Sequence, residues 1–446
     1  MRRSSFVPRW VFWLALGIAA VSGIVAARAE DVGAPRELTL DEALGRARKA
    51  NRSLVAERAR LEQAKAVVDK AWTVLFPTVT AQGKYQRNNI AFSFPKTPGN
   101  YLTLQPIDQL DGILSFSQPL LVPAAYPGLK AVEKTEEATR ENVHATENAV
   151  LFGVAQTFYA AAVADEVLVA RQSSIEVARA TVENAKTRFS AGAVTKVDVD
   201  RAEVALLRAE QGARESSLVR EQTYRALATL IETEEPFKVR VDPASTVSET
   251  AGRVAPSSEN DFVSALHLRP EFRALQAAAE AEEAEVRSHA WRWAPSLSGF
   301  GNARFFNYDN FASQRHSWVI GAQLDWVIYD AGVRDTSRHL SAAQRAESVA
   351  RAEVLRETIR DDLANGRRQV ETKVQAQQTF ARAVDLARET LDLVRIQYEA
   401  GQVTQIDLLA AQDNLVAAEE ALANAHFEVA VADLSLRRAA GTFPER

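Results

Sequence analysis

The spacing of apolar residues changes period twice along the chain. After Pro77 it falls to two: Val79, Ala81, Gly83 and Tyr85 alternate with Thr78, Thr80, Gln82 and Lys84, and further on Leu114 and Phe116 alternate with Ser115 and Ser117. After Pro295 the same happens. Leu297, Gly299, Gly301, Ala303 and Phe305 alternate with Ser296, Ser298, Asn302 and Arg304, then Trp318, Ile320, Ala322, Leu324 and Trp326 with Ser317, Gly321, Gln323 and Asp325. Successive side chains of a strand point to opposite faces, so these stretches read as about four strands. Length, pattern and terminal aromatics suit a membrane barrel; an ordinary half-buried hairpin is the other reading. Between the paired strands, 88–111 and 306–316 are rich in Asn, Pro, Gly and Asp and read as loops.

Proline marks the helices. No proline falls between Pro127 and Pro236, or between Pro295 and Pro444. Helix interiors exclude proline, which lacks the N–H and clashes with the preceding turn. Beyond the strands, each gap is full of Ala, Glu, Arg, Gln and Leu and reads as very long helix. One turn interrupts each: Ala191-Gly192-Ala193-Val194-Thr195 and Ala400-Gly401-Gln402-Val403-Thr404. Gly192 and Gly401 suit the left-handed residue after a helix, and Thr195 and Thr404 suit the cap of the next. Each gap therefore holds a helical hairpin whose first arm, at ~1.5 Å per residue, is about 100 Å long. Thr39 with Glu42 forms a capping box that opens a helix running towards Leu75. Its counterpart runs from about Asp261 to Trp293, with Pro270 starting a second segment.

The two turns match at a constant offset: Ala191, Gly192, Val194, Thr195 and Asp198 recur as Ala400, Gly401, Val403, Thr404 and Asp407. A second register relates Ala56, Ala59, Glu62, Ala66, Val68, Pro77 and Gly83 to Ala274, Ala277, Glu280, Ala284, Val286, Pro295 and Gly301. Chance explains Ala and Glu matches within helices but not Gly and Pro matches at breaks, so the chain reads as an internal duplication. The boundaries are a leader over 1–29, a first repeat over 30–231, a linker over 232–260, a second repeat over 261–440 and a tail over 441–446.

The leader combines Arg2, Arg3 and Arg9, an apolar run from Trp10 to Val25, and Ala27-Arg28-Ala29 as a cleavage site. It reads as an export signal; an uncleaved anchor is the alternative. No other stretch approaches the ~18 apolar residues of a spanning helix. The exported chain then either stays soluble or spans a membrane as strands. Cysteine is absent, which excludes disulfides, thiolate metal sites, cysteine nucleophiles and a lipid-bearing N-terminal Cys. The formal charge is −5, and losing the leader, which carries four arginines and no acid, makes it more negative. Such a chain favours cations and is not expected to bind nucleic acid. His144, His267, His289, His316, His339 and His426 show no ligand spacing, so no metal or cofactor is expected, and no catalytic motif is present.

Four strands cannot close a barrel, and an open sheet edge in lipid leaves unpaired polar groups at several kcal/mol each. Two chains would supply eight strands and three would supply twelve. In order, the leader, the duplicated helix–strand–strand–long-hairpin plan, the paired turns, and the strand exits Gln118-Pro119-Leu120 and Tyr329-Asp330-Ala331-Gly332 resemble the outer membrane efflux protein (TolC) family. The resemblance implies a mainly α fold with a membrane β-barrel portion. In it, four strands per chain join a trimeric twelve-stranded barrel above a periplasmic α-helical tunnel.

The implied function is the outer-membrane exit duct of a tripartite efflux or type I secretion system in a Gram-negative bacterium. Its implied partners are a homotrimer, a periplasmic adaptor (membrane fusion protein), an inner-membrane pump and outer-membrane lipid. Asp407 stands where the family places an acidic ring at the tunnel entrance; Ala410 occupies the position of a second acid found in some relatives. Asp407 as a plain helix-starting acid is the alternative. Tyr398 and Asp198 match positions that link hairpins in a closed tip, with Val403 where a gating arginine would be; interfacial packing of Tyr398 is equally open. Ala191, Gly192, Ala193, Ala400, Gly401 and Gln402 would be the adaptor-contacting turns. Trp72, Trp291 and Trp293 are belt or core residues. A periplasmic adaptor-like coiled-coil binding protein is the alternative function; it would carry one long hairpin flanked by compact β domains.

Overall fold

The computed structural model describes residues 36–241, 259–310, 312 and 314–444. The expected leader and most of the expected linker lie outside these residues.

The first helix does not run unbroken to Leu75. Strand β1 (Arg36–Leu38) leads into α1 (Leu40–Ala50), and a new helix α2 (Arg52–Trp72) follows, ending in a 3₁₀ turn at Thr73–Leu75. Asn51 causes the break. Its side-chain oxygen accepts from the N–H groups of Ser53 (3.0 Å) and Leu54 (3.4 Å), capping α2 in place of continuing α1. Its amide donates to the Leu230 carbonyl at 3.0 Å. Local side-chain bonding by Asn competes with a helix interior in this way.

The four strands expected from the two-residue period are present as β2 (Thr78–Arg87), β5 (Asp108–Leu121), β7 (Ser296–Phe306) and β8 (His316–Asp325). They form one antiparallel sheet in the order β2-β5-β7-β8. The 88–111 region is not simply a loop. It contains a hairpin of β3 (Phe92–Thr97) and β4 (Asn100–Gln105), and β5 begins inside it at Asp108. This segment lacked a clean two-residue alternation, and its Pro and Gly residues masked the hairpin they turn.

The long hairpins follow. Helix α3 (Ala125–Ser190) has 66 residues and returns as α4 (Lys196–Ile231); α7 (Val333–Glu399) has 67 and returns as α8 (Gln405–Ala439). At ~1.5 Å per residue each long arm spans about 100 Å. Between the halves the expected linker contains β6 (Phe237–Val239), which pairs in parallel with β1. Tyr224 secures it: its hydroxyl accepts from Val239 N–H at 3.2 Å and donates to Asp165 at 2.5 Å. Burial, then that bond to Asp165, pushes the phenol up to about 12. The second half opens with α5 (Glu259–Leu268) and α6 (Pro270–Trp291), broken at Arg269 because a residue before proline avoids helical geometry. Asn51 and Arg269 are equivalent in the duplication.

The largest apolar cluster lies midway along α3. Leu151, Val154, Ala155, Phe158 and Ala161 pack with Ala43 and Ala47 of α1, Leu227 and Ile231 of α4, Leu38, Val239 and Leu434. This explains a departure from expectation: an 18-residue window of α3 is long and apolar enough to cross a membrane. The same helix supplies the central members of that cluster, so its apolar residues serve packing between helices. A smaller cluster around Phe262, Ala265, Ile359 and Leu363 seats α5 on α7 in the corresponding way.

Candidate functional site

Two ends of the molecule carry the functional geometry: the hairpin tip and the sheet. At the tip the two turns are built alike. Gly192 (φ 75°) and Gly401 (φ 74°) occupy the left-handed region, which costs an L residue with a Cβ roughly 1–2 kcal/mol. Thr195 and Thr404 then cap α4 and α8 in capping boxes closed by Asp198 and Asp407. The Asp407 carboxylate accepts from the Thr404 hydroxyl (2.6 Å) and N–H (2.8 Å); the Asp198 carboxylate accepts from the same groups of Thr195 at 2.8 and 2.9 Å. The Thr404 hydroxyl and then its N–H hold Asp407 below the usual carboxylate range. For Asp198 the Thr195 N–H leads, followed by the hydroxyl, with Arg201 assisting. Both acids stay charged near neutral pH while facing solvent at the tip.

Within one chain the structure does not bring Asp198 to Tyr398. Asp198 serves Thr195 and Arg201. Tyr398 is buried, and its partner is Arg188, a residue that sequence reasoning passed over. The Arg188 guanidinium lies 4.7 Å from the Tyr398 ring centroid and donates to the Tyr398 carbonyl at 3.1 Å. No hydrogen bond to the Tyr398 hydroxyl occurs among the described residues. The contact joins the end of α3 to the end of α7, and so one hairpin to the other. A signal was available: Arg188 falls just before the aligned turn, where its duplicate position holds Gln397.

Above this contact the seam between hairpins is polar. Gln412 donates to the Thr181 hydroxyl at 3.0 Å, Arg171 pairs with Glu420 (Nη2 to Oε2 3.0 Å), and His426 lies 3.6 Å from Glu166. A groove of about 610 Å³ runs beside it, lined by residues such as Val177, Val204, Arg208, Leu409 and Val416.

In the sheet, the register places all the alternating apolar residues on one face. Val79, Phe116, Gly301 and Ile320 lie in one row across the four strands, and Ala81, Leu114, Ala303 and Trp318 in the next. This face is exposed: Trp318 is 74% and Ile320 77% accessible. The opposite face presents Thr80, Ser115, Asn302 and their neighbours. Among the described residues, strands β2 and β8 each have one unpaired edge. Trp72, Trp291 and Trp293 are exposed in the single chain where helices pass into strands.

A second residue missed in the sequence is Arg334, which is buried at that passage. It donates to the Asp330 carboxylate (2.8 Å), the Val327 carbonyl (2.7 Å) and the Arg292 carbonyl (3.3 Å), and its guanidinium lies 3.8 Å from the Trp293 ring centroid. It thereby ties the exit of β8 to the end of α6.

A profile of the family described as "Outer membrane efflux protein" matches residues 43–233 and 262–442, most of the chain. The toluene efflux pump outer membrane protein TtgC of Pseudomonas putida is 23% identical over 379 residues, 82% of this chain and 75% of that protein. The outer membrane protein TolC of Vibrio cholerae is 25% identical over 355 residues, 76% of this chain and 78% of that protein. Among solved structures the CusC channel aligns with a TM-score of 0.78 at 17% identity, covering 90% of this chain and 91% of that one, and shares the fold.

Proposed function

This chain belongs to the outer membrane efflux protein family, and from that premise we propose how its parts operate as an exit duct. Three copies assemble so that β8 of one pairs with β2 of the next. The sheet alternates direction at every step, so this join is antiparallel and closes twelve strands with no edge exposed to lipid. The apolar face meets outer-membrane lipid, the aromatics at the strand–helix passage form its inner belt, and the polar face lines the lumen. Below, the hairpins form a periplasmic tunnel. The family conducts solutes and does not transform them.

The observation that carries this reading is the pairing of an exposed apolar face with unpaired antiparallel edges on the same four-stranded sheet. In water that combination is an aggregation liability; in a closed membrane barrel both features are satisfied.

At the tip, three copies of Asp407 and of Asp198 concentrate negative charge and favour cation entry. Arg188 and Tyr398 fasten the two hairpins of one chain in the shut position. The turns Ala191-Gly192-Ala193 and Ala400-Gly401-Gln402, with the groove beside the seam, receive a periplasmic adaptor that connects to an inner-membrane pump. The named relative TtgC serves toluene efflux; here the cargo class is set by the partner pump.

The test is purification in detergent followed by mass measurement and planar-bilayer recording. A heat-modifiable trimer that conducts supports the duct. A monomer that remains soluble without detergent removes it.

A further inference from the structure

On the polar face of the sheet, towards the end remote from the helices, lies a cavity of about 220 Å³. Lys84, Asp111 and Arg304 line it together with Ile113, Phe306 and Tyr308. Among the inward positions of the four strands only Lys84 and Arg304 are cationic; the others are uncharged apart from Asp111 and, at the far end of β8, Asp325.

Lys84 stands directly opposite Asp111 in the β2–β5 register, which invites a simple ion pair. The structure does not make one. The Asp111 carboxylate is taken by neutral donors instead: Gln109 Nε2 at 2.7 Å and the Tyr308 hydroxyl at 3.2 Å. No ion pair engages Lys84 or Arg304 among the described residues. Two cationic side chains therefore border a void whose only acid already accepts from two neutral donors, and whose remaining wall is Gln82, Tyr308 and the apolar surface of Ile113 and Phe306.

We propose that Lys84 and Arg304 form an anion-attracting collar at the outer end of the barrel. The collar is a station for solutes that carry a sulfonate, carboxylate or phosphate beside an apolar body. This rests on the trimeric duct: three copies set six cations against three acids around one lumen, opposite in sign to the acids at the tip. The duct then holds a cation-favouring entrance and an anion-favouring exit in series, so that an amphipathic anion past the tip meets a favourable field at the mouth. Screening limits the reach of the collar to about 8–10 Å at physiological salt, and lower salt extends it.

The test uses the trimer in planar bilayers with a KCl gradient whose dilute side is ~10 mM, where the screening length is about 30 Å. Lys84→Gln with Arg304→Gln is expected to raise the K⁺/Cl⁻ permeability ratio about twofold or more. The same change is expected to weaken block by naphthalene-2-sulfonate, added from the outer side, about fivefold. The chain has no native cysteine, so Lys84→Cys can also be modified after assembly. A cationic thiol reagent should return the ratio towards the parent value and a sulfonate reagent should move it further away, which separates charge from folding. A conducting trimer whose selectivity and block ignore all of these changes overturns the collar alone. A protein that forms no channel overturns the duct and the collar with it.

Discussion

Truncating Arg188 to alanine removes a guanidinium stacked 4.7 Å from the Tyr398 ring centroid, together with its 3.1 Å hydrogen bond to the Tyr398 carbonyl. Arg188 is half-buried, so the stack contributes about 1 kcal/mol and the charged hydrogen bond a little more than a neutral one. The two share one side chain and do not add fully, which leaves about 2 kcal/mol per chain, or roughly a 30-fold bias towards the fastened tip. In a trimer the loss occurs three times. Arg188→Ala is therefore expected to increase open probability strongly in single-channel records, and to make cells leakier to large antibiotics. The control follows from the geometry. The Tyr398 hydroxyl has no partner among the described residues, so Tyr398→Phe keeps the ring and the carbonyl and is expected to behave as the parent. Tyr398→Ala removes the ring and is expected to shift gating in the direction of Arg188→Ala, by less. If Arg188→Ala records match the parent, or if Tyr398→Phe opens the channel as far as Arg188→Ala, the contact does not hold the tip.

At the entrance, Asp407→Asn is expected to lower cation preference at neutral pH, and an unchanged reversal potential would remove its role. Its lowered pKa makes the capping contribution fully present above the ordinary carboxylate value of ~3.9 and lost as pH falls through the lowered one, so selectivity should hold as pH falls from neutral and fade only below that ordinary value. Gly401→Val forces a β-branched residue to φ 74°, a strain of roughly 1–3 kcal/mol; trimers should persist on gels while efflux measured by drug susceptibility falls, and normal efflux would count against the turn as a docking point. Arg334→Met removes the bonds to the partly exposed Asp330 carboxylate and two carbonyls and is expected to lower trimer melting in detergent by a few degrees, which Asp330→Asn should partly relieve; a shift below about 1–2 °C would show the node to be dispensable.

The parts of this fold legible in the sequence were those fixed by period or by backbone chemistry. The alternation at 296–305 and 317–326 placed β7 and β8 almost to the residue, since a slip of one position would turn Trp318 and Ile320 to the other face. The turns were legible because positive φ, capping and duplication all fell on Gly192, Thr195, Gly401 and Thr404. Side-chain partnerships between distant segments were not. Asn51 looked like one more polar residue on a helix until Leu230 met it, and β6 is three residues held extended by β1 and the Tyr224 hydroxyl. Tyr398 was singled out in the sequence, but the Arg188 beside it could not be read there. An arginine in a helix rich in arginine has no distinguishing pattern until the second hairpin brings a buried ring beneath it.

The duplication also implies that the two kinds of seam in a ring of six hairpins are unequal. Within one chain α3 meets the second hairpin through Arg171–Glu420 and Arg188–Tyr398. The pseudo-equivalent seam, where α7 of one copy meets the first hairpin of the next, offers at the same positions Phe380 with Gln211 and Gln397 with Phe189. Both charged contacts become neutral there, and Val403 supplies no arginine in exchange. Since each lost charged contact is worth a few kcal/mol at most, the copy-to-copy seam should part first, and the within-chain seam held by Arg188–Tyr398 should release last and so limit full opening. Because the chain lacks cysteine, the two seams can be stapled separately. Phe189→Cys with Gln397→Cys, joined by a short bifunctional reagent, should link copies and abolish opening. Thr181→Cys with Gln412→Cys, whose native side chains already meet at 3.0 Å, should leave the first, partial opening and remove the full conductance level. The reverse outcome, with opening lost only when the within-chain pair is joined, would mean that the within-chain seam parts first and that the contact geometry does not rank the seams.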